Sequence, residues 1–104
     1  MVEEIKGEFL IVGYVDDIED AVMNAEKKNM PQELINDMNT IHGDIVELES
    51  FLVDQEDYDS LTEAVAEPIN DLVEKCREGD TDGVRKVVDK LGENVIALRK
   101  DLMD

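Results

Sequence analysis

Apolar residues recur at spacings of four and three along most of this chain, which is the period of one face of an α-helix. Three such series follow one another, each long enough for a helix of several turns. They are Leu34, Met38, Ile41, Ile45, Leu48 and Leu52; then Leu61, Val65, Ile69, Leu72 and Cys76; then Val84, Val88, Leu91, Val95, Leu98 and Leu102. The pattern predicts an all-α domain with a helix in each of these regions.

The segment before these series also fits a helix, although residues 9–15 are apolar on every side and are compatible with a strand. No second strand is available in the chain to pair with them, so the helix is the favoured interpretation. A helix that is apolar all round needs burial on several sides. A homodimer interface would supply that burial, and the candidate interface residues are Phe9, Leu10, Val12 and Tyr14.

Four helices joined by short connections predict an antiparallel up-down four-helix bundle. We expect a single domain over residues 1–104, with helices over about 4–28, 31–54, 60–78 and 81–103. Ser60 and Glu63 match a capping box at the start of the third helix. Pro68 lies well inside that helix and lacks a backbone N–H, so a kink is expected near it. Gly79 can end the third helix, and Asp80 or Thr81 can cap the fourth.

The charge of the chain is large and uneven. The 104 residues include 28 acids and 10 bases, for a formal charge of −18, whereas a small domain ordinarily has a net charge of magnitude about 2–8. No Lys or Arg lies between Lys28 and Lys75, but thirteen acids do. Because an acidic surface repels nucleic acid and anionic membranes, we expect a basic protein as the partner, and neither nucleic acid nor a membrane.

Placed on helices, nine acids of this stretch, together with Glu78 just beyond it, form two columns that face away from the apolar series. The expected partner-binding residues are Glu33, Asp37, Asp44, Glu47 and Asp54 on the second helix, and Glu63, Glu67, Asp71, Glu74 and Glu78 on the third. One column presents about one carboxylate per 5.4 Å turn, and two adjacent columns would present about one per 2.7 Å. Duplex DNA has one charge per about 1.7 Å, so mimicry of nucleic acid is one form that such docking can take.

The leading hypothesis is therefore a non-enzymatic regulator or inhibitor that docks a basic protein, such as a nucleic-acid-binding protein, through one acidic face on helices 2 and 3. The simplest competing interpretation is a solvated face that only keeps a small bundle soluble. Another is a structural or assembly subunit that dimerises through the first helix. Ionic docking predicts binding that weakens steeply with added salt.

His42 is the only histidine, and it lies between Ile41 and Gly43 on the second helix. A lone histidine on an acidic helical bundle is similar to the arrangement in histidine phosphotransfer domains, and that resemblance implies His42 as phosphoacceptor. The basic residue that follows the histidine in those domains is absent here, and Val46 stands where a small residue is usual. Asp44 would also repel an incoming phosphoryl group. Phosphotransfer through His42 is the alternative function.

The remaining reactive residue types suggest no catalytic or metal site. The single cysteine, Cys76, excludes an internal disulfide, is typical of a reducing compartment, and fits the apolar series of the third helix. No secretory signal is visible and the longest apolar run is too short to span a bilayer, so a cytoplasmic location is expected. Asn39 stands where a Glu-x-x-His metal unit needs Glu. We expect no enzyme activity, metal or cofactor.

Overall fold

The computed structural model describes the backbone of residues 2–103 and the side chains of residues 11–102. It contains four helices, α1 (Val2–Lys27), α2 (Gln32–Glu49), α3 (Gln55–Glu78) and α4 (Thr81–Met103). No strand occurs between residues 2 and 103, so the all-α prediction is confirmed. Residues 9–15 lie inside α1, which decides between helix and strand for this segment.

The three apolar series form the core of the molecule. Every member of the series on α2 and α3 is buried, including Leu52 just beyond α2. On α4 the first four members are buried, and Leu98 and Leu102 pack against the core at its edge. Fully burying one Leu or Ile side chain stabilises a fold by about 1.5–3 kcal/mol. From α1 the core receives Ile11, Ile18, Ala21, Val22 and Ala25.

The helices are arranged as a ring in the order α1, α2, α4, α3. Both α1 and α4 pack against α2 and against α3, so α2 and α3 lie at opposite corners. Within this ring α2 and α4 run parallel, because two ion pairs join their early and late turns in the same order. These pairs are Glu33 with Arg85 and Glu47 with Arg99. Helices α3 and α4 run antiparallel, since the side chain of Asn94 reaches back to Ala64.

The connection between α2 and α3 crosses the diagonal of the ring. The expectation that the second helix continues to residue 54 is wrong, because α2 ends at Glu49 and residues 50–54 lie between the helices. Five residues of extended chain reach about 17 Å, enough to pass from one corner to the opposite one. Leu52 is buried within this crossing, which holds the connection against the core.

The third helix begins at Gln55, five residues before the expected start. The carboxylate of Asp54 accepts a hydrogen bond of 3.0 Å from the backbone N–H of Asp57, so Asp54 is the N-cap. Residues 60–63 lie inside α3, and the prediction that they open the helix is wrong. The helix then continues through Pro68 to Glu78 as one assigned element. A kink near Pro68 stays a prediction.

The turn between α1 and α2 and the turn between α3 and α4 each contain a residue with left-handed backbone conformation. Gly79, with φ 75°, ends α3, and Asn29, with φ 56°, follows α1. Asp80 then caps α4, because its carboxylate accepts a hydrogen bond of 3.0 Å from the backbone N–H of Gly83. The predicted helix stop at Gly79 is confirmed, and of the two cap candidates, Asp80 and Thr81, the structure selects Asp80.

Candidate functional site

The acidic column of α2 borders the arginines of α4. Two of its carboxylates are in ion pairs with that helix, Glu33 with Arg85 at 3.1 Å and Glu47 with Arg99 at 2.8 Å. Asp37 is exposed and Asp44 is half-buried on the same helix. The α2 column is therefore partly neutralised by its neighbouring helix.

Asp54 does not belong to the α2 column. It lies beyond the end of α2 and caps α3 through its hydrogen bond to Asp57. The expectation that it shares a face with the α2 acids is wrong, because the chain has already left α2 at Ser50. A negative charge at a helix N-terminus is favourable, so Asp54 has a local structural role.

The acidic column of α3 is exposed along its whole length. Its members are Glu63, Glu67, Asp71, Glu74 and Glu78. Among the residues whose side chains the structure describes, none of these five is in an ion pair. The α3 column thus differs from the α2 column in having no cation in direct contact.

The two columns do not form one continuous face. Because α2 and α3 occupy opposite corners of the ring and α4 lies between them, the expectation of two adjacent acidic columns is wrong. The separation has an electrostatic benefit. Two columns of like charge on adjacent helices, about 8–10 Å apart, would lie within or near one Debye length and repel each other.

Four of the five basic residues of α4 lie beside one or the other of its two neighbouring helices. Arg85 and Arg99 contact α2, whereas Lys86 and Lys90 line a groove on the α3 side. This groove has a volume of about 380 Å³. Its α3 wall contains Glu63, Glu67, Pro68 and Asp71, and its α4 wall contains Lys86, Val87, Lys90 and Asn94.

The sequence interpretation missed the contribution of α4 to this groove. Lys86, Lys90 and Asn94 are spaced four residues apart, as are Glu63, Glu67 and Asp71. That matched spacing was a usable signal, but it acquires meaning only once α3 and α4 are known to be antiparallel neighbours.

On its other side, α3 meets acids of α1. A second groove of about 370 Å³ is lined by Asp17 together with Asn70, Val73, Glu74 and Arg77. Nη2 of Arg77 lies 3.4 Å from Oδ2 of Asp20, and the two side chains are 65% and 48% exposed. Such exposed pairs contribute about 0–1 kcal/mol. Acidic surface therefore continues from the C-terminal half of α3 onto α1, with one arginine between.

The candidate phosphoacceptor His42 is engaged by a neighbouring carboxylate. Its Nε2 lies 3.2 Å from Oε1 of Glu19 on α1, and its side chain is 27% exposed. A phosphoryl group arriving at Nε2 would meet the negative charge of Glu19 and would have to displace it. This contact offers no support for phosphotransfer.

The candidate dimer interface is only partly within the described side chains. Val12 is 44% exposed and Tyr14 is partly buried against the core. The side chains of Phe9 and Leu10 lie outside the described residues. Dimerisation through this part of α1 stays a prediction.

Cys76 is buried in the core as the apolar pattern predicted. Its Sγ lies 3.9 Å from Sδ of Met38, to which it can donate a weak hydrogen bond. Burial raises the pKa of the Cys76 thiol to about 11. Because the thiolate is the reactive form, burial and the raised pKa both disfavour nucleophilic reactivity of Cys76 at neutral pH.

Within residues 11–102, no group of three or more His, Cys, Asp or Glu side chains is arranged to hold a metal ion. Across the described part of the chain, none of the helices has the length and apolar character needed to cross a bilayer. Comparisons with protein families, with curated proteins and with solved structures find no match to this chain.

Proposed function

We propose that this protein is a non-enzymatic interaction protein of the cytoplasm that docks a basic partner protein through the acidic column of α3. One observation carries the proposal. The five carboxylates of that column are exposed without an ion pair among the described residues, whereas two acids of the α2 column are paired with arginines of α4.

The spacing of the α3 column suits an ionic contact along a helix. At a rise of 1.5 Å per residue, the column from Glu63 to Glu78 extends about 22 Å. Successive like charges at these spacings destabilise a helix by about 0.2–0.5 kcal/mol per pair. A partner that brings cations to the column relieves this repulsion, and its approach is accelerated by the negative field.

Mimicry of nucleic acid is the narrower form of the proposal. Mimicry requires the charge density of two adjacent columns, which this fold separates. The α3 column alone presents about one charge per 5.4 Å turn, and duplex DNA presents about one charge per 1.7 Å. The α1 acids Asp17 and Asp20 lie beside the C-terminal half of α3 and add charge there. The broader proposal is that the protein docks the basic surface of a partner of any function, and it requires only the α3 column.

The test compares two variants that remove the same number of charges from different corners. The α3 variant is E63Q/E67Q/D71N/E74Q, and the α2 variant is E33Q/D37N/D44N/E47Q, so each loses four of the 28 acids. Proteins retained from a lysate of the source cells are compared at low and high salt, after circular dichroism has verified that both variants remain helical.

The proposal expects a basic protein that is retained by the wild-type chain at low salt and released at high salt. Its retention should be lost in the α3 variant and kept in the α2 variant. Equal loss in both variants would show that only net charge matters, and salt-independent retention would show that the contact is not ionic. Either result contradicts the proposal.

A further inference from the structure

The groove between α3 and α4 has opposite charges on its two walls. Because the two helices are antiparallel, with Asn94 reaching Ala64, residues equally far from the turn at Gly79 lie at the same level. At three successive levels along the groove, Glu63 lies opposite Asn94, Glu67 opposite Lys90, and Asp71 opposite Lys86. One wall therefore presents three carboxylates and the facing wall presents two ammonium groups and an amide.

No ion pair closes this groove among the described side chains, although carboxylates and lysines face each other across it. The groove continues toward Ser60 and Asp101 in a further stretch of about 350 Å³, which shares Glu63 and Asn94 with the first. In the first stretch, Pro68 and Val87 form an apolar lining between the oppositely charged walls. In the second stretch, Ala64, Ala97 and Leu98 continue the apolar lining beside the polar residues Ser60, Asn94 and Asp101, so the opposition of charge is confined to the first stretch.

An apolar floor between oppositely charged walls matches an amphipathic helix in cross-section. Helices that dock in grooves place an apolar stripe on the floor, and charged residues flanking such a stripe set partner choice and orientation. Four-residue spacing on both walls is the spacing of successive turns on one face of a helix. From Val87 to Leu98 the floor extends about 16 Å along α4, or three turns.

Given the proposed function, on which this inference rests, we propose that the α3–α4 groove binds an amphipathic helix of the partner. The basic edge of that helix contacts Glu63, Glu67 and Asp71, and its acidic edge contacts Lys86 and Lys90. The charge complementarity of the two walls argues for this occupant. A uniformly basic segment would satisfy the α3 wall but would be repelled by the two lysines.

Lys86 and Lys90 then determine specificity. A chain with net charge −18 attracts many polycations, and repulsion from a few well-placed lysines is an effective way to reject them. The lysines also orient the helix, because reversing its direction would place its basic edge against the α4 wall. The partner helix would therefore dock in one direction only.

The test uses synthetic helical peptides of about 18 residues, or about 27 Å, measured by fluorescence anisotropy. A segregated peptide has an apolar stripe with Lys along one edge and Glu along the other. A mixed peptide has the same composition with Lys and Glu interspersed on both edges. An all-basic peptide has Lys on both edges. Each is titrated into the wild-type chain, the K86Q/K90Q variant and the E63Q/E67Q/D71N variant.

The wild-type chain should bind the segregated peptide about tenfold more tightly than the mixed peptide, as expected for several exposed pairs of about 0.2–1 kcal/mol each. The preference should disappear in both variants, while K86Q/K90Q should bind the all-basic peptide more tightly than wild type does. A spin label at the peptide N-terminus should broaden resonances at one end of the groove only.

Equal binding of the segregated and mixed peptides would overturn the groove assignment. If the all-basic peptide then still bound in a salt-dependent manner that required the α3 acids, the proposed function would survive without it. Loss of all salt-dependent, α3-dependent binding would contradict both. If sedimentation showed a dimer, and the amides of the groove were already protected from hydrogen exchange before any peptide was added, the groove would be assigned to a second copy of the chain. That result would also overturn the inference.

Discussion

The side-chain amide of Asn94 on α4 donates a hydrogen bond of 2.9 Å to the backbone carbonyl of Ala64 on α3. In an uninterrupted α-helix this carbonyl would accept from the residue four positions later, which here is Pro68, and proline has no N–H to donate. Asn94 therefore supplies from a neighbouring helix the donor that Pro68 lacks. It also ties α3 to α4 at the centre of their groove.

This relationship predicts a specific coupling between two substitutions. N94A should lower the free energy of unfolding by about 1–2 kcal/mol, because it leaves a partly buried carbonyl without a donor. In a P68A background the N–H of residue 68 can bond to Ala64, so the same N94A substitution should cost clearly less. Urea denaturation of the four proteins measures the coupling. An identical cost in both backgrounds would show that the two residues act independently.

Two glycines of α4 should respond in opposite ways to replacement by alanine. A Cβ on Gly83 would lie 2.5 Å from Oδ2 of Asp80, the carboxylate that caps the helix, so G83A should destabilise the fold by about 1 kcal/mol through loss of the cap. Gly92 has no atom within 4 Å of an added Cβ, and G92A should stabilise by up to about 1 kcal/mol through helix propensity. Thermal denaturation of the two variants separates these effects; a stabilising G83A would refute the cap argument.

Ionisation of Cys76 should make the fold less stable at high pH. Burial raises the pKa of its thiol from 9.0 to about 11. Below pH 9 the thiol is protonated in both the folded and the unfolded chain, so it has no effect. Between pH 9 and pH 11 only the unfolded chain releases the proton, and the free energy of unfolding should fall by about 1.4 kcal/mol per pH unit.

The C76A variant is the control for this dependence, since other groups also titrate in the same range. Although C76A is less stable overall, its free energy of unfolding should decline less steeply than that of the wild type between pH 9 and pH 11. Parallel curves for the two proteins would show that the Cys76 thiol does not control the decline. Chemical denaturation across the pH series provides the measurement.

Added salt should stabilise the protein. The formal charge of −18 and the like-charged column of α3 both favour unfolding, and salt screens both. Neutralising four members of the column in E63Q/E67Q/D71N/E74Q should raise the stability at low salt by on the order of 1 kcal/mol, summed over the repulsive pairs. The same variant should gain less from added salt than the wild-type chain does. Melting curves at low and high salt test this, and destabilisation by salt would contradict it.

The core was predictable because burial in a bundle follows the spacing of apolar residues within each helix. Leu34, Leu61 and Val84 each begin a series whose first four members are all buried. The start of α3 was not predictable in the same way. Ser60 has the residue pattern of a cap, but Asp54 competes for that role, and the position of the chain after it crosses the bundle favours Asp54.

The order of residues alone specifies four helices, the face of each helix that enters the core, and the amount of negative charge that the surface must bear. Which helices become neighbours depends on the packed fold, because apolar periodicity orients a helix toward the core without specifying what lies beside it. The diagonal crossing of residues 50–54 places α4 between α2 and α3. That placement separates the two acidic columns, brings Arg85 and Arg99 to one of them, and sets Lys86 and Lys90 across a groove from the other.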